Sequence, residues 1–594
     1  MSILKKIISK QLVNIILTFF ITWSLLRVTG TNPGNILSVV IFLLVYLFNG
    51  ELSKKEENLE TKVLKRYKLW ADIVGALFTL FYMIYARDYI VPDLDNRLFK
   101  VGILTISTVG LFILLKKVIS FLFIVLNGQN VQSLEDDTVS TLGRFVNKHV
   151  FWLCFAVCFV CYLPYFLYLF PGVMTPDSIN QFEQVLGVVP LSNHHPVMHT
   201  LFMGMFYYLG FNIFHDGSLA AGLYTLVQLL FVCFWAAFTV DTLKRVQVKW
   251  QILLAVTAFY AVIPYNAIMA STVWKDIPFA VIVTTFICLI VRLDRMPITI
   301  ARLAGFGVTG FFMCLFRSNG WYGFILLVPF ILWHFRKNIL KIGATVGLIL
   351  IFSIIIKYPI MNSLNIIQPD FIESLSVPAQ QMAYVICVEE DINYQDMQEV
   401  KKVIDLTYIR ELYRSNYADN IKELVRAGDQ DYLKAHKMDF LKMYIRWGLK
   451  YPGDYIRAYV GQTYGYYYPD REYDVADAEG VIDSSLDIHS RPFIVGKIPL
   501  KMKEIAIKLG NMVPMYSLIW CIGAVFWSVL FFMGLCGARG EYKKMIWFMP
   551  CLLMVFTVLI ATPLAYSMRY VYFMFFSLPL YPILTLLKDD RWND

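Results

Sequence analysis

Apolar residues fall along this chain in runs of about twenty, parted by short polar stretches. Runs of that length with few charges predict helices that cross a bilayer. They cover residues 12–29, 35–51, 70–88, 99–127 and 149–170, then 218–240, 251–269, 277–293, 302–317, 320–335, 339–357, 514–536, 545–563 and 568–587. The pattern therefore predicts about 14 transmembrane helices. Lys116 and Lys117 interrupt the run at 99–127, which reads as one span or as a span followed by a surface helix.

The polar stretches set the orientation. Lys5, Lys6 and Lys10, the segment 54–68, Arg144 and Lys148, KRVQVK at 244–249, RLDR at 292–295, FRKN at 335–338 and ARGEYKK at 538–544 carry basic residues. Basic loops stay on the cytoplasmic side. Placing all of them there puts both termini in the cytoplasm and leaves residues 88–96, 171–200 and 358–512 outside. Residues 197–214 are apolar enough to span, but counting them as a span would invert every later loop. They are expected to lie on, or dip into, the outer leaflet. The N-terminus has basic residues, an apolar run and no small-residue cleavage site, so it reads as an uncleaved first span.

Composition sharpens this. The chain is 58% hydrophobic and 16% charged, against about 25% charged for soluble domains. Its net charge of +9 sits in the loops and sets orientation, so no nucleic-acid partner is implied. Most of the ten cysteines lie in apolar runs, where they read as small packing residues. Cys387 alone falls in 358–512, so that segment has no internal disulfide. With the absence of Asn-x-Ser/Thr sequons, this suits a bacterial plasma membrane.

The expected fold is an all-α polytopic membrane protein with outer-face juxtamembrane helices and a mainly helical extracellular domain. Residues 1–148 form N-terminal transmembrane helices, 149–357 a transmembrane core with an external loop at 171–217, 358–512 the extracellular domain and 513–594 the last spans.

Five polar clusters carry the candidate chemistry. In TPDSINQFEQ, Thr175 suits an N-cap and Pro176 a first helical position. Asp177, Gln181 and Gln184 then share one face of a surface helix. Asp177 reads either as a residue favoured at a helix N-terminus or as a catalytic carboxylate. In SNHHPVMHT, His195 and His199 stand one turn apart and could share a face. They read as metal ligands with Asp177, as contacts with sugar or phosphate oxygens together with His194, or as interfacial histidines satisfied by water. Metal is the least favoured of these.

In STVWKDIPF, Lys275 and Asp276 precede a span, where ionisable groups are costly and tend to be functional; an ion pair or a snorkelling lysine is the alternative. FRSNGWYG offers Arg317 and Asn319, and YSMRYVYF offers Arg569 and Tyr570. Arg binds phosphate through a planar, permanently charged fork. The loop orientation places all five clusters on one side, near one depth.

PDSINQF, SNHHPVMHT and WKDIPF, within this long apolar chain, resemble a bacterial branch of the GT-C superfamily of membrane glycosyltransferases. The resemblance covers roughly 149–357 and the last spans. It implies a polyprenyl phosphate-linked sugar donor and a glycan, lipid or protein acceptor at the outer face. It also implies that Asp177 acts as general base or orients the acceptor, and that His195-Pro196 begins the family's surface helix. Ser178 follows Asp177 where many relatives carry a second acidic residue, which disfavours a scheme needing two adjacent carboxylates. No cofactor is expected. A flippase or transporter of lipid-linked saccharide, and a polysaccharide ligase or polymerase, are the competing readings.

Overall fold

A computed structural model describes residues 2–91, 96–132, 140–469, 480–496, 501, 504, 505, 508, 509, 512, 513, 515–561, 563, 564 and 567–588. Residues 92–95 of the outer loop 88–96, and 470–479 and 497–500 of the segment 358–512, lie outside them. The chain is 78% helix, with no strands among the described residues.

Fourteen helices account for the chain up to residue 355: α1 (Ser2–Val28), α2 (Leu37–Glu57), α3 (Thr61–Ile90), α4 (Arg97–Asn127), α5 (Thr141–Tyr168), α6 (Pro176–Val185), α7 (Val197–Phe214), α8 (Gly217–Arg245), α9 (Trp250–Val262), α10 (Pro264–Ala270), α11 (Asp276–Arg295), α12 (Ile300–Phe316), α13 (Ser318–His334) and α14 (Ile339–Ile355). Ten helices among the described residues are long and apolar enough to cross a membrane, which makes this a multi-pass membrane architecture.

The expected spans differ in two places, for chemical reasons, and a third, at 99–127, is decided between its two readings. Residues 251–269 form two helices bent by 57°, because a residue before proline disfavours the α-region and Ile263 precedes Pro264. Residues 568–587 are not one helix but short pieces, Met568–Val571, Tyr572–Phe576 and Leu580–Leu586, with Pro579 at the second break. The run at 99–127 is one unbroken helix: Lys116 pairs with Asp72 at 3.1 Å and Lys117 bonds Asn49 at 2.8 Å.

The bundle is built around α11, which is buried along its length from Asp276 to Leu293. A helix buried on every side reads as continuously apolar, and its end charges then need partners. Asp276 at its start meets Arg317 at 2.5 Å, and Arg292 near its end meets Asp241 at 2.9 Å.

The basic loops collect at the second of these ends. Arg66 Nε donates to Ala538 O, Lys544 Nζ to Leu587 O, and His334 meets Asp294. At the opposite end, α5 finishes and α8 begins side by side: a side chain at Gly222 would strike the Phe170 ring. Everything between them, including α7, therefore starts and finishes at one end of the bundle. Gly210 of α7 meets Ala220, and both Phe202 and His199 meet Tyr224, contacts that fall within the first three turns of α8. Although α7 is apolar and long enough to span, its packing keeps it at this end.

Residues 371–455 make a separate helical unit with its own core, in which Ile386, Val400, Ile421, Val425 and Trp447 are buried together. The chain then returns to the bundle. Met174 N donates to Gly480 O and Ile482 N to Met174 O, while Arg491 pairs with Asp216.

Candidate active site

The loop after α5 is clamped from both sides, and this clamp assembles the site. Val173 N donates to Ser271 O and Val273 N to Val173 O, both at 2.9 Å, while Met174 pairs with 480–482 on the other edge. Gly172, at φ +140°, lies too close to Thr225 Oγ1 (2.7 Å from a would-be Cβ) for any side chain. The clamp sets Thr175–Asp177 beside Trp274–Asp276, some hundred residues on. Trp274 Nε1 donates to Thr175 Oγ1 at 2.8 Å, and Ser178 Oγ donates to Val273 O at 2.6 Å.

Thr175 is the N-cap of α6 and Pro176 its first residue, as the sequence predicts. The polar face is only partly open: Gln181 and Gln184 are buried, as are Ile179 and Phe182, while Asp177, Asn180 and Glu183 keep some exposure. The reason is tertiary: Gln181 Nε2 bonds Thr200 Oγ1, and Ser192 N donates to Gln184 Oε1.

Asp177 faces two cations. Arg569 donates to its Oδ2 at 3.0 Å, across 392 residues of sequence, and Lys275 Nζ lies 3.6 Å away. Lys275 also donates to His195 Nδ1 at 2.8 Å. Arg569 stacks near the rings of Trp274 and Tyr570, and donates to Tyr570 Oη at 3.3 Å. Arg317, 7% exposed, bonds Tyr570 O and Asp276 and lies over the Tyr570 ring. Asn319 opens α13 beside Arg317, and its Nδ2 has no hydrogen-bond partner among the described residues. Asp177, His195, Lys275, Asp276, Arg317, Arg569 and Tyr570 thus form one connected cluster, with three cations against two carboxylates.

The charges settle the protonation states. Burial alone would raise the Asp177 pKa, but Lys275 and then Arg569 outweigh it and hold the carboxyl well below the usual carboxylate range. Burial, reinforced by the Lys275 ammonium, pushes His195 down to about 3. The neutral ring accepts from Lys275 at Nδ1, so it carries its proton on Nε2. Burial pulls Lys275 below the ordinary lysine value, with Asp177 opposing the fall.

His195 and His199 do not share a helix face. Pro196 caps α7, so His195 precedes the helix and turns to Lys275. His199, fully buried, meets Gln181 Oε1 at 3.2 Å and Tyr224 Oη at 2.8 Å. Tyr224 and Gln228 continue this chain to the carbonyls of Ala270 and Thr272. Gln181 and His199 therefore brace the floor of the site from behind. His194 is exposed and stacks edge-on against His195 at 4.7 Å, on the side of Glu373 and Lys422 of the helical unit.

Among the described residues no three His, Cys, Asp or Glu side chains are placed to hold a metal ion. Lys275 occupies the position between Asp177 and His195.

Sequence reading missed Trp274 and its bond to Thr175, and Tyr224 and Gln228. The last two carried a signal: polar groups at i and i+4 inside an apolar helix need partners.

No curated protein and no solved structure matches the chain. One family model matches residues 187–593, taking in the histidines, Lys275, Asp276, Arg317, Asn319, Arg569 and Tyr570, and starting after Asp177. By that match over well more than half its length, the chain belongs to DUF6020, a family of unknown function.

Proposed function

We propose that this protein is an inverting membrane glycosyltransferase of GT-C type. It would move a sugar from a polyprenyl phosphate-linked donor to an acceptor at the outer face of the cell membrane. The observation that carries the reading is the Asp177 carboxylate, partly open to solvent and held ionised against Lys275 and Arg569 at the bundle end away from the basic loops. In this orientation both termini are cytoplasmic and residues 358–512 form an extracellular domain.

The chemistry needs two things that this cluster supplies. The acceptor hydroxyl attacks the anomeric carbon and passes its proton to Asp177. The bond from that carbon to the phosphate oxygen breaks, and its electron pair leaves with the polyprenyl phosphate as a dianion. Lys275 and Arg569 offset that growing charge, and His195 Nε2–H and Asn319 Nδ2 add neutral donors. Arg317, whose fork is committed to Asp276 and Tyr570, acts as a positioning residue. One displacement inverts the anomeric centre, and the sugar–phosphate bond supplies the driving force.

A transporter would place its polar groups near the bilayer midplane, whereas this cluster sits where α11 begins and α12 ends. The test is incubation of purified protein with a panel of radiolabelled polyprenyl phosphate sugars. A labelled product that disappears with Asp177→Asn supports the reading; lipid scrambling without any glycosidic product refutes it.

A further inference from the structure

The N-terminal helices hold a second charged site, at the basic-loop end and outside the family match. A cavity of about 230 Å³ opens between α2, α3 and α4, lined by Ser53, Glu56, Lys68, Asp72, Lys116, Lys117 and Ser120 among others. That is somewhat below the ~300 Å³ at which pockets for drug-sized ligands begin, a size suited to a small polar headgroup.

Its charges are unevenly paired. Glu56 takes Lys68 at 2.8 Å and Asp72 takes Lys116 at 3.1 Å. Among the described residues Lys117 touches only a neutral partner, donating to Asn49 Oδ1 at 2.8 Å, and Glu56 attracts it from beyond contact. Asn49 is buried and its amide is fixed, because Nδ2 donates to Thr18 Oγ1 at 3.0 Å. Beside it Ser120, 3% exposed, has a hydroxyl with no hydrogen-bond partner among the described residues. The cavity therefore carries one uncompensated positive charge and one buried, idle hydroxyl. A lysine in an apolar helix is costly, and nothing in the transfer chemistry uses it.

We propose that this cavity binds a phosphodiester anion through Lys117 and Ser120. A phosphodiester carries one negative charge, which matches the single excess cation. Its two non-bridging oxygens can accept from the ammonium and from the hydroxyl, giving charge-assisted hydrogen bonds. The carboxylates of Glu56 and Asp72 hold Lys68 and Lys116 in place and disfavour a dianion. The diester reaches the cavity either as the headgroup of an inner-leaflet phospholipid or as a soluble phosphodiester. A lysine that merely snorkels to the interface would attract anionic headgroups by charge alone, with no dependence on the Ser120 hydroxyl.

The experiment uses the full chain in neutral detergent, with retention followed by native mass spectrometry and thermal melting. Phosphatidylglycerol, phosphatidylcholine and the tail-free diester glycerophosphoglycerol are added separately. Wild type should retain phosphatidylglycerol over phosphatidylcholine and melt higher with it. Lys117→Gln should weaken retention about tenfold or more, the scale of one charged hydrogen bond, and Lys117→Arg should keep it. Ser120→Val provides an independent variant and should also lose retention. Binding of glycerophosphoglycerol with the same dependence on Lys117 assigns the site to a free diester; binding of the lipid alone assigns it to a headgroup. Retention of no diester, or equal retention by wild type, Lys117→Gln and Ser120→Val, overturns the proposal.

Discussion

Donor binding should raise the basicity of Asp177, and two pH–rate profiles should reveal it. In the free site Arg569 and Lys275 lie 3.0 and 3.6 Å from the carboxylate. At an effective dielectric of about 20, a unit pair at that range attracts by roughly 5 kcal/mol before desolvation. The Asp177 side chain keeps 32% of its surface, and solvent screens much of that attraction, leaving on the order of 1–2 kcal/mol per cation. This corresponds to about one pK unit each. A donor phosphate that draws Arg569 onto its own oxygens removes one such contribution and places a negative charge nearby. A carboxylate with a depressed pKa works as a base above that pKa, and activity falls as pH drops through it. The profile of kcat/KM reports the free enzyme and that of kcat the complex. The acid limb of kcat should therefore lie about one pH unit or more above the limb of kcat/KM. Asp177→Asn should lose about 10²–10⁴ of the rate and show neither limb. The assay is turnover of a radiolabelled polyprenyl phosphate sugar in detergent, with melting temperature and donor binding followed on the same samples. Coincident limbs, or near-normal turnover by the Asn variant, would refute the reasoning.

Arg569→Ala should cost about 10²–10³ in turnover and move the free-enzyme limb upward; unchanged turnover and donor affinity would make the residue structural. His195, with a pKa near 3, is already neutral, so kcat/KM should run parallel in wild type and His195→Gln between about pH 5 and 8; a limb near the ordinary histidine value that vanishes in the variant would contradict this. Gln181→Leu strands the buried His199 Nδ1 and should cost about 1–3 kcal/mol, read by denaturant or thermal melting; an unchanged midpoint would show that the brace is dispensable. Cysteines introduced at the exposed positions Ser415 and Ser53 should react with an impermeant thiol reagent in intact cells at 415 and not at 53, and the reverse pattern would place the site on the wrong side for the proposed donor.

The class of the molecule was written in the order of its residues. Apolar runs of spanning length need only local composition to be recognised, and positive loops recur at every second turn of the bundle because membrane orientation acts on each loop separately. The α6 start was equally legible, since Thr175 and Pro176 act on their own neighbours. The local signal failed where a single chemical group overrode the apolar pattern. Pro264 and Pro579 broke predicted spans, and Pro196 kept His195 out of the helix that holds His199.

Only the tertiary structure decided which polar groups meet. Nothing near Asp177 in sequence specifies Arg569, 392 residues away, or selects Lys275 rather than Asp276 as its neighbour. Nor does residue type separate His195, which faces the cations, from His199, sealed behind them. These pairings depend on the clamp of residues 173–174 between 271–273 and 480–482, and on the depth at which α11 begins and α12 ends. Membrane composition fixes that a segment is a helix at an interface; the side on which its ionised groups find partners is fixed by packing, because an ion leaving water is stable only where an opposite charge or a donor already stands.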